Sequence, residues 1–180
     1  MHSSKYSECM SVNLDKTVTN VVKLLKSKGW TISTAESCTG GLLSELITSV
    51  SGASEVFELG ICTYSERIKN EYLGVPMNDI EKYGVVSEEV ARSMVRGLKN
   101  RSGADVCISV TGIAGPGGGT EKTPVGTVFI GMTVGDREEV FLPELWKLNE
   151  LSRENIRRSA AAFAFAAAEK MLMEACCINE

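Results

Sequence analysis

Histidine is almost missing from this chain. There is one in 180 residues, His2, in the polar N-terminal stretch. A Ser-His-Asp triad, a Cys-His pair and the histidine-rich zinc sites each need an imidazole held inside the fold. A catalytic base, if the protein is an enzyme, is therefore Lys, Tyr, Asp or Glu, and no metal or organic cofactor is expected. None of the six cysteines, Cys9, Cys38, Cys62, Cys107, Cys176 and Cys177, stands in a CxxC pair. A chain of this length has no need of disulfide staples, and Cys62 and Cys107 lie in apolar stretches that read as core. The first residues carry no apolar segment of the secretory type. The longest unbroken apolar run, Ala160 to Ala168, is too short to span a bilayer. A reducing, cytoplasmic setting without a membrane partner is the expectation. Positive charge is not in excess either: 19 Lys and Arg against 23 Asp and Glu give a net charge of −4. That argues against a general nucleic-acid binder, because phosphate affinity comes from clustered cations. A small phosphorylated ligand stays compatible, since it needs one cation and a few N–H groups.

What is present describes a globular chain. Hydrophobic residues make up 43% and charged residues 23%, which excludes wholesale disorder. No repeat or linker divides it. The expectation is a loose tail over residues 1–12 and one domain over 13–180. Leu14, Val18, Val21, Val22 and Leu25 recur at helical spacing up to Gly29. Residues 30–35 read as a strand, 42–50 as a helix and 56–64 as a second strand. A short helix carries Lys69 and ends near Gly74 and Pro76. Ser87 is a good N-cap, followed by Glu88 and Glu89 in the first turn. Strands follow at 105–110, 125–134 and 137–142, the last two joined across Gly135-Asp136. A final helix runs from about Ser152 to Ala175. Alternation of strand and helix over the first two-thirds implies βαβ crossovers, and the hairpin adds an antiparallel strand. The predicted fold is α/β, with helices on both faces of a mixed, mostly parallel sheet.

In such a sheet ligands bind beyond the carboxyl ends of the parallel strands. Three segments fall there. The first is Thr34-Ala35-Glu36-Ser37-Cys38-Thr39-Gly40-Gly41. Its glycines at a helix start present backbone N–H groups suited to an anion or an oxyanion. Ser37 sits at the strand-to-helix turn, as a nucleophile should, although Ser37 and Thr39 could equally be helix caps. The second segment is Thr63-Tyr64-Ser65-Glu66-Arg67-Ile68-Lys69. Parallel neighbours would set this loop beside the first. A lysine of lowered pKa can serve as base for a serine, and Tyr64 could orient it or donate a proton. The competing reading is a solvated helix lysine. Cys38 is the alternative nucleophile, ranked below Ser37 because an adjacent residue on an extended segment points the other way.

The third segment, Thr111 to Gly119, is glycine-rich but not a P-loop. Lys122-Thr123 follows Glu121, and Pro124 leads into a strand. It reads as a pocket wall or as a surface loop. The Ala-rich last helix is apolar all round, so it is buried in the core or against a second copy. Arg153, Arg157 and Arg158 at its start could be solvated or meet a phosphate.

Four stretches, TAESCTGG at 34–41, TYSERIK at 63–69, YGVVSEEV at 83–90 and SVTGIAGPGGGTEKTPVGTVFIG at 109–131, resemble the nicotinamide-nucleotide amidase family. The same module is found at the C-terminus of CinA, the competence/damage-inducible protein. The resemblance implies a three-layer α/β/α sandwich and hydrolysis of nicotinamide mononucleotide to nicotinic acid mononucleotide and ammonia. It also implies Ser37 as nucleophile, Lys69 as base and Tyr64 beside them. Substrate contacts would come from Glu36, Cys38, Thr39, Gly40, Gly41, Thr111, Gly112, Ala114, Gly115 and Arg153. One stretch departs: Leu151-Ser152-Arg153 stands where the family carries Gly-Asp-Arg. A catalytically inactive nucleotide-binding module is the alternative, and a homo-oligomer formed through the Ala-rich helix is a further expectation.

Overall fold

The computed structural model describes residues 13–177, with side chains through Ala175. The expected tail at 1–12, with His2 and Cys9, lies outside the described residues, as do the side chains of Cys176 and Cys177. The chain begins with α1 (Leu14–Lys28), whose N-cap Asn13 accepts from Lys16 N–H and whose end is turned by Gly29 at φ 64°. Then come β1 (Ile32–Glu36), α2 (Leu42–Thr48), a 3-10 turn (Ala53–Glu55) and β2 (Phe57–Cys62). Three helices follow, α3 (Glu66–Leu73), α4 (Met77–Tyr83) and α5 (Glu88–Ser102). After β3 (Val106–Gly112) a hairpin is made by β4 (Val128–Val134) and β5 (Arg137–Phe141). A 3-10 turn (Leu145–Lys147) then leads to α6 (Arg153–Cys177).

The strands form one sheet in the order β2-β1-β3-β4-β5. β1 is parallel to β2 and β3, while β4 runs antiparallel to both β3 and β5. The sheet is therefore mixed, with only β4 reversed. Strand alternation sends Ile32 into one apolar cluster, with residues of α1, α2 and α6. Ala35 goes to the other, with residues of α3, α4 and α5. The three-layer α/β/α sandwich follows from that two-sided burial. Among the described residues, no helix is long and apolar enough to cross a membrane.

Two elements differ from the sequence reading. The helix α4 had no separate signal, because seven residues with only Ile80 buried carry too little periodicity. Cys62, expected in the core, is exposed at the end of edge strand β2, whereas Cys107 on central β3 is buried. The Ala-rich stretch of α6 is covered by the chain itself. Ala160, Ala161, Ala164, Phe165 and Ala168 have no exposed surface and belong to the cluster shared with α1. Packing within one chain, one of the two readings the sequence offered, accounts for the burial of these five residues.

Candidate active site

The register pairs Glu36 with Cys62 on one side and with Val110 on the other. The carboxyl ends of β1, β2 and β3 therefore lie side by side, and the loops leaving them surround a cavity of about 640 Å³. Ser37, Tyr64, Thr111 and Gly115 line it together, so the three sequence segments do converge.

The turn after β1 begins with Ser37, whose N–H donates to Val110 O at 3.0 Å. Gly40 and Gly41 follow at φ 60° and 95°, left-handed values that glycine alone takes without a Cβ penalty. Gly40 N–H closes the turn on Ser37 O at 3.1 Å. The N–H groups at the start of α2 do not face a ligand, as the sequence suggested. Those of Gly41, Leu43 and Ser44 all donate to the carboxylate of Glu36 at 3.0 Å. Of the substrate contacts expected on this turn, only Cys38 lines the cavity. Glu36 and Thr39 are fully buried, and Gly40 and Gly41 lie outside the lining.

Lys69 belongs to α3, one turn after the N-cap Ser65, which accepts from Ile68 N–H at 3.3 Å. Its side chain turns inward and has no exposed surface. Nζ lies 3.0 Å from Ser37 Oγ, 2.7 Å from Thr63 O and 3.1 Å from Tyr64 O. Burial lowers its pKa to about 8, against small opposing effects from Cys38 and Glu66. A neutral amine has two N–H donors and one lone pair. The charged amine donates to all three oxygens; the neutral amine, with its two donors on the carbonyls, leaves its lone pair for the Ser37 hydroxyl.

Cys38 also lines the cavity, because the chain has already left the extended conformation, so alternation does not turn it away. Burial, not orientation, disarms it: the thiol pKa is pushed up to about 12, which leaves no useful thiolate at neutral pH. Tyr64 reaches Lys69 only through its backbone carbonyl. Its phenol is 63% exposed and accepts from the Arg153 guanidinium at 3.2 Å. Arg153 also donates to Gly115 O at 2.8 Å, bridging the second and third segments at the rim. Thr111 Oγ1 donates to Val85 O at 2.8 Å. Gly112 and Ala114 line the cavity as expected. Sequence reasoning missed Val85 and Val86, which join Ile113 of the third segment in an apolar wall. Valines before a helix cap carry no chemical signal of their own. Among the described residues, no group of His, Cys, Asp and Glu side chains is placed to hold a metal ion.

The CinA C-terminal domain model matches residues 14–172. The chain is 44% identical over 140 residues to nicotinamide-nucleotide amidohydrolase PncC of Enterobacter agglomerans, covering 78% of this chain and 84% of that protein. It is 53% identical over 119 residues to a CinA-like protein of Thermotoga maritima, covering 66% of this chain. That match spans only 29% of the longer relative. Among solved structures, a CinA superfamily protein from Klebsiella pneumoniae superposes with a TM-score of 0.83 at 30% identity, covering 91% of this chain and 99% of that one. A competence/damage-inducible protein from Agrobacterium tumefaciens gives 0.76 at 31% identity, covering 95% and 98%. A family match along nearly the whole fold, together with the close superposition on these structures, makes this chain a member of the CinA C-terminal domain family.

Proposed function

We propose that this protein is an amidohydrolase that converts nicotinamide mononucleotide and water to nicotinic acid mononucleotide and ammonia. The observation that carries the reading is the buried Lys69 amine 3.0 Å from Ser37 Oγ, with its two other contacts on backbone carbonyls. The amidohydrolase name of the Enterobacter relative supports the substrate class.

The chemistry follows from that pair. Neutral Lys69 takes the Ser37 hydroxyl proton as Oγ bonds to the carboxamide carbon. The charged lysine then returns the proton to the departing nitrogen, the C–N bond breaks, and ammonia leaves an ester on Ser37. A water molecule gives its proton to the neutral lysine and attacks the ester carbon. Ser37 leaves with that proton, and the acid is released. The developing oxyanion needs N–H donors. Gly40 and Gly41 are committed within the turn, so the donor left at the cavity is the N–H of Cys38, which lines it. Such a donor is worth on the order of 3 kcal/mol of transition-state stabilisation.

The cavity suits the rest of the substrate. Its size falls within the usual small-molecule range. Val85, Val86 and Ile113 offer an apolar wall to a flat ring, and Arg153 supplies a permanent cation for a phosphate. An ammonia-release assay with nicotinamide mononucleotide, nicotinamide riboside and nicotinamide tests the reading. The nucleotide is the expected best substrate. Ser37→Ala and Lys69→Ala are each expected to lose roughly 10⁴-fold or more in turnover while keeping the wild-type circular dichroism. Undiminished turnover in Ser37→Ala would overturn the mechanism. Tight nucleotide binding with no ammonia from the wild type would mark an inactive binding module.

A further inference from the structure

Glu36 stands directly before the proposed nucleophile, yet its side chain points to the opposite face of the sheet. It has no exposed surface, and all its partners are on the turn and the helix that follow. Oε2 accepts from the N–H groups of Gly41 and Leu43, both at 3.0 Å. Oε1 accepts from Ser44 N–H at 3.0 Å and from Ser44 Oγ at 2.9 Å. The same hydroxyl oxygen lies 2.8 Å from Thr34 Oγ1. These bonds close a ring around residues 37–40.

The enclosed segment is also held by Ser37 N–H on Val110 O at 3.0 Å and by the Arg157 guanidinium on Thr39 O at 3.2 and 2.6 Å, but neither contact fixes the two glycines that follow. Two successive glycines in the left-handed region carry the largest backbone entropy to be lost. The helix beyond is only seven residues long, too short to be stable on its own. Main-chain bonds join the same point to the other member of the pair. Thr63 N–H donates to Glu36 O at 2.8 Å, and Thr63 O accepts from Lys69 Nζ at 2.7 Å.

We infer that Glu36 is a positioning residue, whose carboxylate fixes the turn at the height that sets Ser37 Oγ against Lys69 Nζ. It acts through the turn and lies outside the cavity lining. A carboxylate is required because four donors meet two oxygens, two on each. A glutamine would turn an NH₂ toward two of those donors and lose their bonds. The inference rests on the amidase reading only for its kinetic readout.

The test compares the full wild-type chain with Glu36→Gln by thermal unfolding, by kcat and KM for nicotinamide mononucleotide, and by the rate at which a fluorophosphonate labels Ser37. The expected result is a fall in kcat of about 10–100-fold, a matching fall in labelling rate, and an unchanged KM. A lower melting temperature with wild-type kcat and labelling would overturn the inference and leave Glu36 a purely structural anchor. If Glu36→Gln does not fold, Ser44→Ala carries the test. It removes one of the four donors, and a several-fold loss of labelling at unchanged KM is expected, whereas wild-type labelling overturns the inference. If the wild type labels at Ser37 but releases no ammonia, the amidase reading fails. The labelling rates then decide Glu36 by themselves.

Discussion

Lys69 and Arg153 are two basic side chains in contrasting settings, one buried behind the cavity wall and one on its lining. Lys69 is fully buried, and burial brings its pKa to about 8. Arg153 sits at the exposed rim, where its planar guanidinium presents a fork of N–H donors. Its guanidinium meets Gly115 O and Tyr64 Oη, which hold it at the rim where the proposed function puts the substrate phosphate. Arg153→Ala should therefore raise KM for the nucleotide about tenfold or more, the range for loss of a charge-assisted hydrogen bond. It should leave kcat nearly unchanged, and KM for unphosphorylated nicotinamide should not move. Steady-state kinetics on the two substrates checks this. A nucleotide KM equal to that of the wild type would make Arg153 only a strut between the two loops. Ser37 and Lys69 were legible in the sequence because Ser37 directly follows β1 and Lys69 lies on the helix that follows the parallel β2, which makes their meeting a matter of topology. The role of Glu36 was not legible. Sequence shows a helix start with open N–H groups, but not that the chain's own carboxylate already fills it.

In the proposed mechanism Lys69 reaches Ser37 only if α3 sits at the right depth, and Gly97 bears on that depth. Gly97 lies in the middle of α5, where a Cβ would fall 1.8 Å from the backbone carbonyl oxygen of Leu73 at the end of α3. No real contact is that short, so the two helices touch backbone to backbone. Alanine in a helix interior normally stabilises by about 1 kcal/mol over glycine. Here overpacking, worth typically 1–3 kcal/mol or more, opposes it, and the contact is with unyielding backbone. Gly97→Ala is expected to lower the melting temperature and, by moving α3, to lower kcat although Gly97 does not line the cavity. A melting temperature above that of the wild type would show that α3 is not held this way. The elements legible from pattern were those with a long apolar stripe, such as α1 and α5. A glycine that looks like a weak point in a helix is a packing device here, visible only once Leu73 O is known to lie against it.

The whole sandwich contributes to the surroundings of the proposed base. Ser37 comes from the turn after β1, the carbonyls of Thr63 and Tyr64 from the segment after β2, and Lys69 from α3. The Thr111–Gly119 loop after β3 and the start of α6 complete the walls. Parallel β1, β2 and β3 put these segments at one end of the sheet, and the helical layer covering α3 excludes water from the lysine. Burial disfavours the charged amine, so its depressed pKa exists only in the folded chain. The sequence showed the strand-helix alternation and hence the common edge. It did not show the depth of burial, because a lysine on a short polar helix looks solvated until α5 is packed against it.

The pH dependence of Ser37 acylation tests the central claim most directly, measured as the fluorophosphonate labelling rate and, in parallel, as kcat/KM for nicotinamide mononucleotide. The reactive form is the neutral amine, so both rates should climb about tenfold per pH unit below the lysine pKa. They should bend at about pH 8 and level off above it, where Lys69 has lost its proton. Rates that stay flat through this region, or that fall as the pH rises through it, would contradict a deprotonated Lys69 as the base.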